Sequence, residues 1–245
     1  MTSPAIWQEV EFGSYGADLA LWVELAAQTA GPVAELGAGA GRVALHLAGH
    51  GHEVIAVERD LDLIRELEHL AKQRGVTVSV VAEDLESPAE IRLPVRPALA
   101  IGPLHLIQIV DPPARPALLA RLREMLAPGG ALALTLVDES TLLTSGAAST
   151  QILPDMRELD GWVYSSEPLW VQVGDRELTI RRLRETVSPE GKMERDIHDE
   201  TLHRIAPEVL EREAADAGFR PSGRRQINSG ENEADSTVVL LEAPA

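Results

Sequence analysis

The sequence predicts an α/β protein built on a doubly wound parallel sheet, and three observations carry that expectation. From Pro32 onward, short unbroken apolar runs alternate with stretches of helical periodicity. Strands read in that unbroken way when helices cover both faces of a parallel sheet. A glycine-rich turn, "ELGAGAGR", joins the first apolar run to the helix after it, and acids close the next two runs at Glu58 and Asp84.

Taken in order, "PVAEL" reads as a buried strand and "RVALHLAGH" as a helix ending near Gly49 or Gly51. "EVIAVE" is a second strand, and "DLDLIRELEHLAKQRG" a helix with Asp60 as N-cap and Gly75 as C-terminal stop. "VTVSVVAED" and "RPALAIG" supply strands three and four, "ARPALLARLREMLAPGG" a helix closed by Pro and Gly, and "ALALTLV" strand five. Before this frame, residues 1–31 read as a helical lead-in, with Leu19, Trp22, Val23 and Ala26 at helical spacing. After it the period changes. "WVYSSEPLWVQV", "ELTIRRLRETV" and "KMERDIHDETLHRI" alternate polar and apolar residues between the turn signals Gly174-Asp175 and "SPEGK". This predicts an antiparallel insertion over residues 151–205, after which "APEVLEREAADAG" returns to helix and "STVVLLEA" closes as a strand. The whole, residues 1–245, reads as a single domain.

Composition narrows the function classes. The 245 residues carry 39 acids against 22 Lys and Arg, a formal net charge of −17, which repels a polyphosphate backbone and disfavours a nucleic-acid partner. No cysteine is present, so disulfides, thiolate nucleophiles and thiolate metal sites are excluded. No apolar run approaches the roughly 20 residues that cross a bilayer, and the start lacks the pattern of a signal peptide. The expectation is a cytoplasmic protein without membrane attachment, its oligomeric state open.

In the turn, Gly37, Gly39 and Gly41 stand at every second position. Glycines there let a ligand approach the backbone, and the following helix offers free N–H groups. A dinucleotide fingerprint needs the spacing G-x-G-x-x-G, but the position three after Gly39 is Arg42. A phosphate loop needs Lys followed by Ser or Thr, and neither is present. Glu58, at the end of strand two, has the chemistry to accept hydrogen bonds from both hydroxyls of a ribose, and Asp84 that to accept an adenine amine, with Leu85 over the ring. The ends of three strands therefore converge on one crevice.

Together, "ELGAGAGR", Glu58, "AEDL" and "LAPGGALALTLV" resemble, in order and spacing over Val33 to Val137, the class I S-adenosylmethionine-dependent methyltransferases, and most of all their small-molecule branch. The resemblance implies a Rossmann-like seven-stranded sheet of order 3-2-1-4-5-7-6 with the seventh strand antiparallel, the cofactor S-adenosyl-L-methionine and a small-molecule methyl acceptor. It implies that Glu35 and the backbone of Gly37, Ala38 and Gly39 face the methionine and ribose portions, and that Glu58 holds the ribose hydroxyls. Asp84 and Leu85, with Arg59 and Glu83 beside them, would surround the adenine, and the backbone at Ile101 and Gly102 would meet the methionine amino group. Arg42 would pair with an acid or the methionine carboxylate, and Tyr15 would close over the cofactor. Strand four departs from the family by carrying Ala98 where an Asp is usual.

The sulfonium methyl is already electrophilic, so a catalytic base is optional and depends on the acceptor. His105, just after strand four, is the candidate base or orienting group, against a packing role at the top of the sheet. Gln108 either meets substrate or satisfies backbone, and Trp162 and Tyr164, of like strand parity, either face substrate or attach the insertion. No metal site is expected: His46 and His50 have helical ligand spacing but no third ligand. The readings in play are a methyltransferase acting on O, N or C, a non-catalytic binder of the same cofactor, and a nicotinamide oxidoreductase, which the glycine spacing disfavours.

Overall fold

The computed structural model describes residues 4–141, 154–229 and 234–244. Its centre is a seven-stranded sheet. Strands β1 (Val33–Leu36), β2 (Val54–Glu58), β3 (Ser79–Ala82), β4 (Leu99–Gly102) and β5 (Ala131–Val137) run parallel in the order 3-2-1-4-5. Beyond β5 lie β11 (Ser236–Glu242), antiparallel to it, and the edge strand β10 (Arg220–Ile227). The order and the reversed last strand are those the resemblance implies.

Alternation along each strand divides the core in two. Ala34, Leu36, Ile55 and Val57 pack with Leu118, Leu119 and Leu122 of α6 (Arg115–Met125) and Leu210 of α7 (Pro207–Asp216). Val33, Val54, Ala56, Leu99 and Ile101 face the opposite way, against Trp22 of α2 (Leu19–Ala27), Val43 and Leu47 of α3 (Arg42–Gly49) and Leu67 of α4 (Leu61–Arg74). Every residue of β1, β2 and β4 is buried, which explains their unbroken apolar reading.

Strand β10 is legible in neither composition nor period. Seven of its eight residues are exposed, it contains Pro221 and Gly223, and its pairing with β11 slips between those two residues. A sheet edge tolerates Pro, a bulge and charge because they discourage pairing with another chain, and these same features hide the strand in the sequence.

The residues after β5 form a separate antiparallel sheet of β6 (Asp155–Leu159), β7 (Trp162–Val173), β8 (Glu177–Val187) and β9 (Met193–His203), in that order. Three of the four match the expected meander, and β6 is additional. The expected boundary at residue 151 lies outside the described residues. The helix α1 (Pro4–Phe12) of the lead-in lies across this sheet: Glu11 receives a bidentate pair from Arg184 at 2.8 Å each and a bond from the Ser166 hydroxyl at 2.7 Å. No helix among the described residues is long and apolar enough to cross a membrane.

At the start of α4, the Asp60 carboxylate accepts the N–H groups of Asp62 at 2.8 Å and Leu63 at 3.2 Å, and Gly75 ends the helix in the left-handed region. Asp60→Ala leaves those donors unpaired and is expected to lower stability by about 1 kcal/mol. The shift of the urea midpoint at unchanged slope measures it.

Candidate active site

One charge interrupts the apolar strand β1. Glu35 is 3% exposed, points to the α2–α3 side of the sheet, and its Oε2 has no hydrogen-bond partner among the described residues. Burial pushes its carboxyl up to about 8, against the downward pull of Arg42. Such a carboxyl is held near its protonated form until a cation arrives beside it.

The turn after β1 is built on left-handed glycines: φ is +63° at Gly37 and +56° at Gly39. A Cβ at Gly37 would fall 2.6 Å from the tip of Leu106, and one at Gly39 would fall 2.3 Å from the Gln8 amide; the positive φ at both makes glycine the favoured residue, and any other would also displace those side-chain ends. Across the turn stands Glu58, the last residue of β2 and also buried. Its Oε2 accepts the Gly39 N–H at 2.8 Å, and its Oε1 accepts those of Arg59 at 2.8 Å and Asp60 at 2.9 Å. One carboxylate thus fixes the ends of β1 and β2 together.

The lead-in roofs this turn. The Gln8 amide oxygen on α1 accepts the Ala40 N–H at 2.8 Å. Arg42, at the start of α3, donates to both oxygens of Asp18 at 2.6 and 2.7 Å and to the Tyr15 carbonyl at 3.1 Å, with its guanidinium 5.1 Å from the Tyr15 ring centroid. Asp18 also accepts the Trp22 indole N–H at 2.8 Å. Beneath the roof is a cavity of about 200 Å³ whose lining includes Gln8, Tyr15, Glu35, Gly37, Ala38 and Arg42, closed on the β4 side by Pro103 and Leu104.

The other expected cofactor residues surround this turn at greater distance. Asp84, at the end of β3, lies 3.4 Å from Arg59, and both side chains are well exposed. Leu85 is part of the buried core, and Glu83 beside it is half-buried. Ile101 is fully buried, and the Gly102 carbonyl accepts the Thr135 hydroxyl at 3.0 Å.

His105 follows β4 in a turn where it and Leu104 both take positive φ, +60° and +48°. Neither is glycine, so the turn holds backbone strain, stabilised where Thr135 Oγ1 accepts the His105 N–H at 2.7 Å. The ring Nε2 lies 2.8 Å from Ser236 Oγ, and burial pushes the imidazole down to about 4, so it is neutral at neutral pH. Gln108 is buried and spends its amide on backbone: its oxygen accepts the Val137 N–H at 2.8 Å and its nitrogen donates to the His203 carbonyl at 3.3 Å. Tyr164 is buried edge-on against Trp7 of α1 with centroids 5.9 Å apart, whereas Trp162, at the hairpin end of the same strand, is 38% exposed. His46 and His50 sit with ring centroids 4.4 Å apart, and no group of three potential metal ligands occurs among the described residues.

Sequence reasoning did not single out Gln8, Asp18, Pro103 or Leu104. Asp18 had the one usable signal, a carboxylate four residues before Trp22 on a helix. The Glu35 carboxyl yields a pH test. Raised in the folded protein from 4.5 to about 8, it keeps its proton after the unfolded chain has lost it, so its contribution to stability falls as pH rises across that window. Glu35→Gln is expected to remove this decline, and denaturant unfolding of both proteins from the lower to the upper end of the window checks it.

A buried carboxyl with one unpaired oxygen beside a glycine turn fits a cationic ligand that must come close to the backbone, as S-adenosylmethionine must. A family profile described as a methyltransferase domain matches residues 33–130. No curated protein matches the chain in sequence. Among solved structures, the chain is similar to an S-adenosylmethionine-dependent methyltransferase from Clostridium acetobutylicum, with TM-score 0.73, 12% identity, and 98% of this chain and 97% of that one covered. It is similar to CalS10, an amino pentose methyltransferase from Micromonospora echinaspora, with TM-score 0.69, 14% identity, and 99% and 98% covered. It is also similar to the glycopeptide N-methyltransferase MtfA in complex with S-adenosylmethionine, with TM-score 0.62, 25% identity, and 95% and 96% covered. The glycine turn and the strand order agree with the domain match: residues 33–130 are similar to a methyltransferase domain, and the chain has the fold of the solved S-adenosylmethionine-dependent methyltransferases named above.

Proposed function

We propose that this enzyme transfers the methyl group of S-adenosylmethionine to an oxygen, nitrogen or carbon nucleophile of a small molecule by in-line displacement. The observation that carries the reading is the meeting of the buried Glu35, with its unpaired Oε2, the glycine turn and Glu58 at the carboxyl ends of adjacent strands under one roof. The cofactor supplies an activated methyl group, and the protein's part is to hold and orient it.

A carboxylate offers about four lone-pair sites, and Glu58 already uses three on backbone N–H groups. Its Oε2, with one bond, keeps room for a ribose hydroxyl. Glu35 would compensate positive charge on the methionine portion, where the backbone of Gly37, Ala38 and Gly39 permits close approach. Arg42 is committed to Asp18 and so acts on the site through its charge and its hold on Tyr15. Asp84 and Leu85, with Arg59 and Glu83 at the rim, would bound the adenine, and the backbone at Ile101 and Gly102 would meet the amino group.

His105 fits an orienting role better than that of a strong base, because burial holds its ring at about 4, which makes it a weak proton acceptor, and its Nε2 is engaged with Ser236. An acceptor nitrogen that loses its proton to water needs no base. The amino pentose and glycopeptide named for the relatives support a small polar acceptor. Tyr164 and Trp7 would form part of its covering, with Trp162 and Gln108 more remote.

Calorimetry is expected to show binding of S-adenosylhomocysteine and none of NAD, and methyl label from the cofactor should pass to a component of a small-metabolite extract. Absence of S-adenosylhomocysteine binding overturns the reading. Glu58→Ala should weaken that binding by about 1.5–3 kcal/mol, the range for hydrogen bonds to a charged group. Unchanged affinity would place the ribose elsewhere.

A further inference from the structure

A second and larger cavity, about 630 Å³, lies between α1 and the inner face of the antiparallel sheet. Gln8 and Phe12 line both this cavity and the one under the glycine turn, so α1 forms a common wall between them. Trp7, Phe12 and Leu63 give it apolar surface. The opposite wall is polar. The register pairs Arg182 with His198 and Arg184 with Asp196, and alternate residues share a face, so His198 and Glu200 of β9 lie on the same side as both arginines.

The charges on that face do not balance. Arg184 is matched by Glu11, and Arg182 by Asp155 at 2.5 Å with Glu11 at 3.5 Å. Lys192 pairs with Glu194, and Arg195 turns away to Glu185. Asp196 and the half-buried Glu200 have neither a hydrogen bond nor an ion pair among the described residues. Burial, with the nearby Glu11, pushes the Glu200 carboxyl up and outweighs the downward pull of Arg182 and Arg184, while burial and Arg184 push the His198 ring down, so His198 brings no compensating charge at neutral pH. A partly desolvated carboxylate without a partner favours a ligand that brings a positive charge.

We propose that this cavity is the acceptor subsite and that it takes an amine-bearing molecule, with Glu200 holding its ammonium group and the Trp7–Phe12–Leu63 wall its apolar part. The proposal rests on the methyl-transfer reading for the word acceptor. The preference for a cation rests on the cavity itself.

The probes are phenethylamine and 2-phenylethanol, nearly equal in size and different in charge. Each is titrated into protein with and without saturating S-adenosylhomocysteine, following the indole N–H signals by NMR, with that of Trp7 assigned through Trp7→Phe. The amine should displace the Trp7 signal at about tenfold lower concentration than the alcohol, or lower still, as expected for a bond between two charged groups. Glu200→Gln should remove that advantage and leave S-adenosylhomocysteine affinity unchanged. Equal response to both probes, no displacement of the Trp7 signal by the amine, or an amine preference that survives in Glu200→Gln overturns the proposal. If S-adenosylhomocysteine does not bind at all, the methyl-transfer reading fails, while the amine titration of the protein alone still decides whether the cavity selects a cation.

Discussion

The Glu58 carboxylate is the constraint on which the rest of the site depends. It gathers the N–H groups of Gly39, Arg59 and Asp60, so the turn leaving β1 and the chain leaving β2 are held to one point. These groups stand at the end of a parallel sheet, where no ladder partner continues, and a buried N–H without an acceptor is costly. An aliphatic residue at this position would leave the glycine turn unanchored. With three of its lone-pair sites used on backbone, the same carboxylate keeps further acceptor capacity facing the turn.

A second buried charge ties the lead-in to that turn. Asp18 takes the whole guanidinium edge of Arg42 and the Trp22 indole, and Trp22 is itself fully buried against the sheet. Breaking one partner of such a pair strands the other away from water, so the roof and the turn are expected to hold or fail together. The Arg42 charge also reaches Glu35 and opposes the effect of burial there. Strand end, turn and roof therefore form one electrostatic unit, with Glu35 as its unsatisfied member.

The two sheets obey different physics. The parallel sheet is covered on both faces, and its strands place the glycine turn, Glu58 and Asp84 at their carboxyl ends. The antiparallel sheet has one face turned to α1 and the other exposing large apolar residues such as Ile197 and Met193. Its inner face is populated by arginines and acids in nearly matched numbers, which makes the exceptions chemically informative. Gln108 joins the two sheets by linking the end of β5 to the end of β9, a structural use of a polar group in an apolar run.

The sequence by itself determined the α/β frame, the five parallel strands, the closing strand and the glycine turn between the first strand and its helix. Buried strands must be apolar, turns with positive φ must be glycine, and a carboxylate at a strand end is conspicuous, so each leaves a local mark. What only the tertiary structure decided was pairing over long separations: Asp18 with Arg42, Gln8 with Ala40, His105 with Ser236, and Glu11 with Arg184. The edge strand β10 also stayed illegible, because protecting an edge removes the alternation that would reveal it. Glu200 shows the difference most plainly. In the sequence it is one acid among 39, and it becomes distinctive only when folding pairs the charges around it and leaves it without a partner.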